Sequence, residues 1–127
     1  MTQPTKKSSK PVEKQTTDEQ VKLYLTISPL LKSAFDEVKE FSKKKQDDEL
    51  NLKKVKTINR LLVKAKEILK DEPTVDYLDF LDENDLPTNS DAVLIMSQFI
   101  SAMEKFHNDH YVYHDNRLSW DNEGHWK

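Results

Sequence analysis

Apolar side chains recur along this chain at two different periods. Residues 21–27 read Val-Lys-Leu-Tyr-Leu-Thr-Ile, so Val21, Leu23, Leu25 and Ile27 alternate with Lys22, Tyr24 and Thr26. Period-two alternation is the signal of a half-buried strand. Ser28 followed by Pro29 then reads as an N-cap and the first position of a helix. A single helix from about residue 18 fits the same stretch. Thr17 and Gln20 would form its capping box, and Val21, Tyr24, Ile27 and Leu31 would share one face. That alternative places Pro29 inside the helix, where a lost hydrogen bond and a ring clash cost about 3 kcal/mol. The expectation is therefore a strand over 21–27.

The remaining segments are mostly helical in period. Over 29–45, Leu30, Leu31, Ala34, Phe35, Val38 and Phe41 follow 3–4 spacing, and Lys43, Lys44 and Lys45 suit a helix C-terminus. Gln46-Asp47-Asp48-Glu49 is a polar break. A second helix, capped by Asn51 and running to about Lys70, carries one stripe of Leu52, Val55, Ile58, Leu61, Leu62, Ala65, Ile68 and Leu69. Asp71-Glu72-Pro73 ends it. Val75, Leu78 and Leu81 predict a short acidic helix, closed by Asn84-Asp85-Leu86-Pro87. A last helix over about 91–109, capped by Asn89 or Ser90, is apolar nearly all round in its first turns, as expected of burial on more than one side. Residues 111–127 have no helical period and hold Tyr111, Tyr113, Trp120, Trp126 and the single glycine, Gly124.

Length and composition then bound the picture. The chain's 127 residues suffice for one domain with a thin core, which often grows by pairing with a second copy. Without cysteine it has no disulfide or thiolate metal site. No apolar run approaches the roughly 20 residues of a membrane span, and no apolar segment follows the N-terminal lysines as in a secretion signal. Cytoplasmic localisation is expected. Charge divides the chain: residues 1–70 hold 17 Lys/Arg against 10 Asp/Glu, and residues 71–127 hold 3 against 13. This predicts a disordered basic tail (1–17), a basic β-α-α module (18–72) and an acidic helical unit with an aromatic tail (73–127).

Catalytic patterns are missing. There is no glycine-rich phosphate loop, cysteine nucleophile or serine elbow, and the carboxylates between Asp71 and Asp91 are spread like a solvated face. An enzyme is not expected. His107 and His110 have the i, i+3 spacing of a metal pair, with Asp109, His114 and Asp115 close by. The helix dipole alone also favours histidine there, so no metal and no other cofactor is expected.

The order of a strand, a proline-started helix, a polar turn and a second amphipathic helix over about 20–70 resembles the ribbon-helix-helix family of DNA-binding proteins, of the Arc and MetJ type. The resemblance implies a homodimer whose paired strands enter the major groove of double-stranded DNA. Lys22, Tyr24 and Thr26 would then contact bases. The start of the second helix would hold a phosphate near Asn51, with Lys53, Lys54, Lys56 and Arg60 adding phosphate contacts. The chain departs from that pattern in a longer, glycine-free turn carrying Asp47, Asp48 and Glu49. The layout beyond residue 70 is similar in outline to plasmid-partition centromere-binding adaptors, which implies a protein-docking role for the acidic half. Tyr77, Phe80, Trp120 and Trp126 are its candidate partner contacts. The fold expected is thus mainly α with a short N-terminal strand, the alternative being an all-α bundle. The function expected is a dimeric DNA-binding protein, the alternative being a helical protein-interaction adaptor or inhibitor with no DNA role.

Overall fold

Residues 21–27 take the helical alternative. In the computed structural model, which describes residues 15–114 and 116–122, helix α1 runs unbroken from Asp18 to Lys44, with Pro29 inside it. The expected N-terminal strand is therefore corrected, and with it the ribbon-helix-helix architecture. Burial gives the reason. A strand face would need Leu25 beside Val21 and Ile27, but Leu25 is 59% exposed. The residues that go inside are Val21, Ile27, Leu31 and Val38, at helical spacing.

The start of α1 is held at both levels of structure. Thr17 Oγ1 accepts from Gln20 N at 3.0 Å, and Gln20 Oε1 accepts from Thr17 N at 3.0 Å, closing the capping box. Gln20 Nε2 then donates to the Ile68 carbonyl at 2.9 Å in a buried bond to the next helix. Pro29 leaves the Leu25 carbonyl without its helical donor. Both residues lie on the exposed side, where water can supply a partner, and burial of the opposite face offsets the remaining cost.

Helix α2 spans Leu52–Ile68 and starts as expected, with Asn51 Oδ1 accepting from Lys54 N at 2.9 Å. Helix α3 spans Asn89–His110, capped by Thr88 rather than by Asn89 or Ser90. Asn89 N donates instead to the Asp48 carbonyl at 2.8 Å and Ser90 N to the Gln46 carbonyl at 3.0 Å. The polar turn after α1 thus satisfies the first N–H groups of α3, and its acidic side chains lie near the positive end of that dipole.

Helix α1 packs against both α2 and α3. One core joins them, with Leu31, Val55, Leu62, Met96, Phe99 and Phe106 among its most deeply buried members. The expected short acidic helix is only a 3-10 turn, Pro73–Tyr77, after which Leu78 is already extended (φ −104°, ψ 125°). Asn59 of α2 holds this extended segment by exchanging two 2.9 Å bonds with the backbone of Leu81. Lys66 Nζ adds a bond to the Leu78 carbonyl at 2.9 Å.

The aromatic tail contains a hairpin that was not expected. Strand β1 (Tyr111–His114) pairs antiparallel with β2 (Arg117–Trp120), Tyr111 facing Trp120 and His114 facing Arg117. Asn116, before β2, has φ 67°, a left-handed conformation that asparagine tolerates better than most residues. Among the described residues the fold is therefore three α-helices and a two-stranded hairpin rather than either expected architecture. Of the expected disordered tail, residues 1–14 lie outside the described residues. Thr16 is buried and Thr17 caps α1.

Candidate functional site

Leu30 and Leu31 are neighbours in sequence, so in a helix they point about 100° apart. Leu31 fills the core at 1% exposure, while Leu30 stays 52% exposed. In α2, Leu62 is fully buried and Val63 is 41% exposed. Each helix carries more apolar side chains than one buried stripe can hold. The surplus from both helices meets in an open groove of about 990 Å³ between α1 and α2. Ile27, Leu30, Ala34, Val38 and Phe41 line it from α1. Ile58, Leu61 and Val63 line it from α2.

The rim is polar and asymmetric. Lys53, Lys54, Arg60 and Lys64 stand on the α2 side, whereas α1 contributes Ser33 and Glu37. Lys54 Nζ sits 4.2 Å from the centre of the Phe41 ring, a cation–π contact that fixes one end of the groove. Lys64 meets Glu67 at 3.7 Å, an exposed pair of small energetic weight. Among the described residues, no carboxylate lies within ion-pair distance of Lys53 or Arg60.

A second polar constellation lies at the opposite end of the helices. His110 is almost fully buried between two carboxylates, with Nε2 3.0 Å from Glu72 Oε2 and Nδ1 2.7 Å from Asp121 Oδ2. Burial alone would lower its pKa. The hydrogen bonds and negative charges of Glu72 and Asp121 outweigh that effect and raise it to about 9. With both ring nitrogens engaged, His110 is a charged clamp joining the turn after α2, the end of α3 and the segment after β2. Asp121 Oδ1 extends the clamp to α1 by accepting from Thr16 N at 3.1 Å and Thr16 Oγ1 at 2.7 Å. The neighbouring His107 does not join it and stacks on Tyr111 at 4.8 Å. No group of three or more His, Asp or Glu side chains among the described residues is placed to hold a metal ion.

The residues expected at DNA bases are dispersed by the helix. Lys22 is exposed, Thr26 Oγ1 bonds the Lys22 carbonyl at 2.9 Å, and Tyr24 is half-buried, 5.2 Å from Trp120 and 5.7 Å from Phe106. The expected phosphate contacts stay together on α2, several of them already engaged. Asn51 spends its side-chain oxygen on the helix cap, Lys54 covers Phe41, and Lys56 lies 3.9 Å from Glu83. Lys53 and Arg60 fall on the groove rim.

Of the expected partner contacts, Tyr77 is 79% exposed. Phe80 is 42% exposed, stacked at 6.3 Å on Phe99 and covered by Lys66. Trp120 is 9% exposed inside an aromatic cluster with Tyr24, His107 and Tyr111. Trp126 lies outside the described residues.

Sequence reasoning placed Leu30, Ala34, Phe41, Ile58 and Leu61 on helices but did not join them as a surface. The available signal was the adjacent pairs Leu30-Leu31 and Leu61-Leu62, which no single helical stripe can bury together. No helix among the described residues is long and apolar enough to cross a membrane. Comparisons with protein-family models, curated proteins and solved structures return no match, so the functional reading rests on the groove and its chemistry.

Proposed function

We propose that this chain is a helical protein-interaction module that docks a partner segment in the groove between α1 and α2. The observation that carries this reading is the apolar floor between the two helices, where Leu30 and Val63 are exposed and Ala34, Phe41 and Leu61 are only half-buried. Its volume of about 990 Å³ is at the upper end of the usual range for small-molecule sites. Apolar faces of helices are recognised in grooves of this kind through side chains at i, i+3, i+4 and i+7.

The basic residues alone would also suit duplex DNA. With residues 21–27 helical, however, a DNA reading keeps only the phosphate-type contacts, and a phosphate backbone has no apolar face to cover Leu30, Leu61 or Val63. The His110 clamp supports a scaffold role for the rest of the chain, since it closes the fold at the end remote from Phe41.

Selection of helical peptides displayed on phage tests the reading. The full chain should enrich peptides that lose binding to the Leu30→Asp variant. Leu30 is half exposed, so that substitution leaves the core intact. Equal retention of every enriched peptide by the variant would place docking elsewhere.

A further inference from the structure

We infer that the occupant of the α1–α2 groove is an acidic amphipathic helix of about four turns, oriented by the asymmetry of the rim. The inference rests on the interaction reading above and adds the chemistry and geometry of the partner.

Length comes first. Ile27 to Phe41 spans roughly 21 Å at 1.5 Å per residue, the length of a helix of about 14 residues. Along that distance α1 offers the accessible apolar side chains of Leu30, Ala34 and Phe41, four and seven residues apart, with the buried Ile27 and Val38 beneath them. An incoming helix with its own 3–4 stripe matches this spacing, whereas an extended strand would find no free backbone edge on either helix.

Charge then selects among helices. On α2, Lys53, Arg60 and Lys64 are spaced seven and four residues apart and so lie along one side of the groove. The α1 side has Glu37 as its charged residue. A docked helix therefore places carboxylates on its flank toward α2 and neutral or basic residues on its flank toward α1.

The same charges argue against other occupants. Antiparallel pairing of two copies that stacks α2 on α2 through this face would set one Lys53-Arg60-Lys64 row against another. Residues 1–14 carry Lys6, Lys7, Lys10 and Lys14 and would be repelled in the same way. The chain's own acidic segment is committed elsewhere: Leu78 and Leu81 are buried, and Asn59 and Lys66 bond its backbone.

The test uses the full chain and 16-residue hydrocarbon-stapled peptides sharing one Leu/Phe stripe taken from a display selection. One flank is varied among Glu, Gln and Lys. Fluorescence anisotropy should show the Glu-flanked peptide binding roughly tenfold more tightly than the Gln-flanked one, as expected of three exposed ion pairs, and the difference should shrink in high salt. The Lys-flanked peptide should bind most weakly. Replacing Arg60 and Lys64 together by Glu should reverse the order of the Glu- and Lys-flanked peptides.

Equal affinity for all three flanks would overturn the acidic-helix inference and leave the interaction reading standing. Failure of every peptide to bind in a manner sensitive to Leu30→Asp would overturn both. Tighter, Leu30-dependent binding of random 20-base-pair duplex DNA, or of vesicles containing anionic phospholipid, would overturn the inference in favour of a phosphate ligand.

Discussion

Asp121 holds His110 from beyond the hairpin: its Oδ2 lies 2.7 Å from His110 Nδ1, while its Oδ1 accepts two bonds from Thr16. One carboxylate thereby joins the start of α1 to the end of α3. Glu72, on the other side of the ring, brings in the start of the 3-10 turn that follows α2.

This clamp gives stability a pH dependence. The folded-state pKa of His110 is raised from 6.5 to about 9, so protonation is favoured by the fold. The stabilisation is complete below pH 6.5, declines as pH rises, and is lost once pH passes about 9. Its size is on the order of 3 kcal/mol. Urea midpoints measured from pH 6 to 9.5 should fall accordingly, and the His110→Gln variant should lack most of that slope.

Asn59 is the second structural dependence. It satisfies both the N–H and the C=O of Leu81 inside the protein. The Asn59→Ala variant leaves both without partners and should lose about 2–4 kcal/mol in urea unfolding. Amide exchange at Leu81 should rise far more than exchange at Leu31.

Pro29 tests the helix directly. If residues 21–31 form one continuous helix, Pro29→Ala restores a donor for the Leu25 carbonyl and should stabilise the protein by roughly 1–3 kcal/mol. Loss of stability in that variant would show that the proline fits its position better than alanine does, contrary to a helix interior.

The rim and floor of the groove should separate binding from stability. Leu30→Asp and Arg60→Glu change exposed side chains and should shift unfolding free energy by no more than about 0.5 kcal/mol. Both should weaken binding of groove-selected peptides, Leu30→Asp through the floor and Arg60→Glu through the acidic flank.

Much of the helical fold was legible in the chain. Asn51 caps α2 as read, and the stripe from Val55 through Ile58, Leu62 and Ala65 is buried. Val-Lys-Leu-Tyr-Leu-Thr-Ile satisfies both periods at once, and the tertiary bond from Gln20 to Ile68, which offsets the local cost of Pro29, is not a local pattern. The 78–82 segment carries helical spacing, yet Asn59 claims its backbone from 22 residues away. No local pattern contains such a bond. The groove was legible only in part: its apolar residues stand in the chain, but which of them stay accessible depends on how α1 and α2 are set side by side. Asn116, between the short runs Tyr111-Val112-Tyr113-His114 and Arg117-Leu118-Ser119-Trp120, is of a residue type that favours turns, the one local sign of the hairpin.

The most direct test of the central claim is a two-dimensional amide NMR titration of the full chain with a groove-selected acidic peptide. The account predicts that shifts concentrate at Leu30, Ala34, Phe41, Ile58, Arg60 and Leu61, with Tyr77 and Phe80 unmoved. Shifts centred on Tyr77 and Phe80, with the α1–α2 residues unchanged, would contradict it.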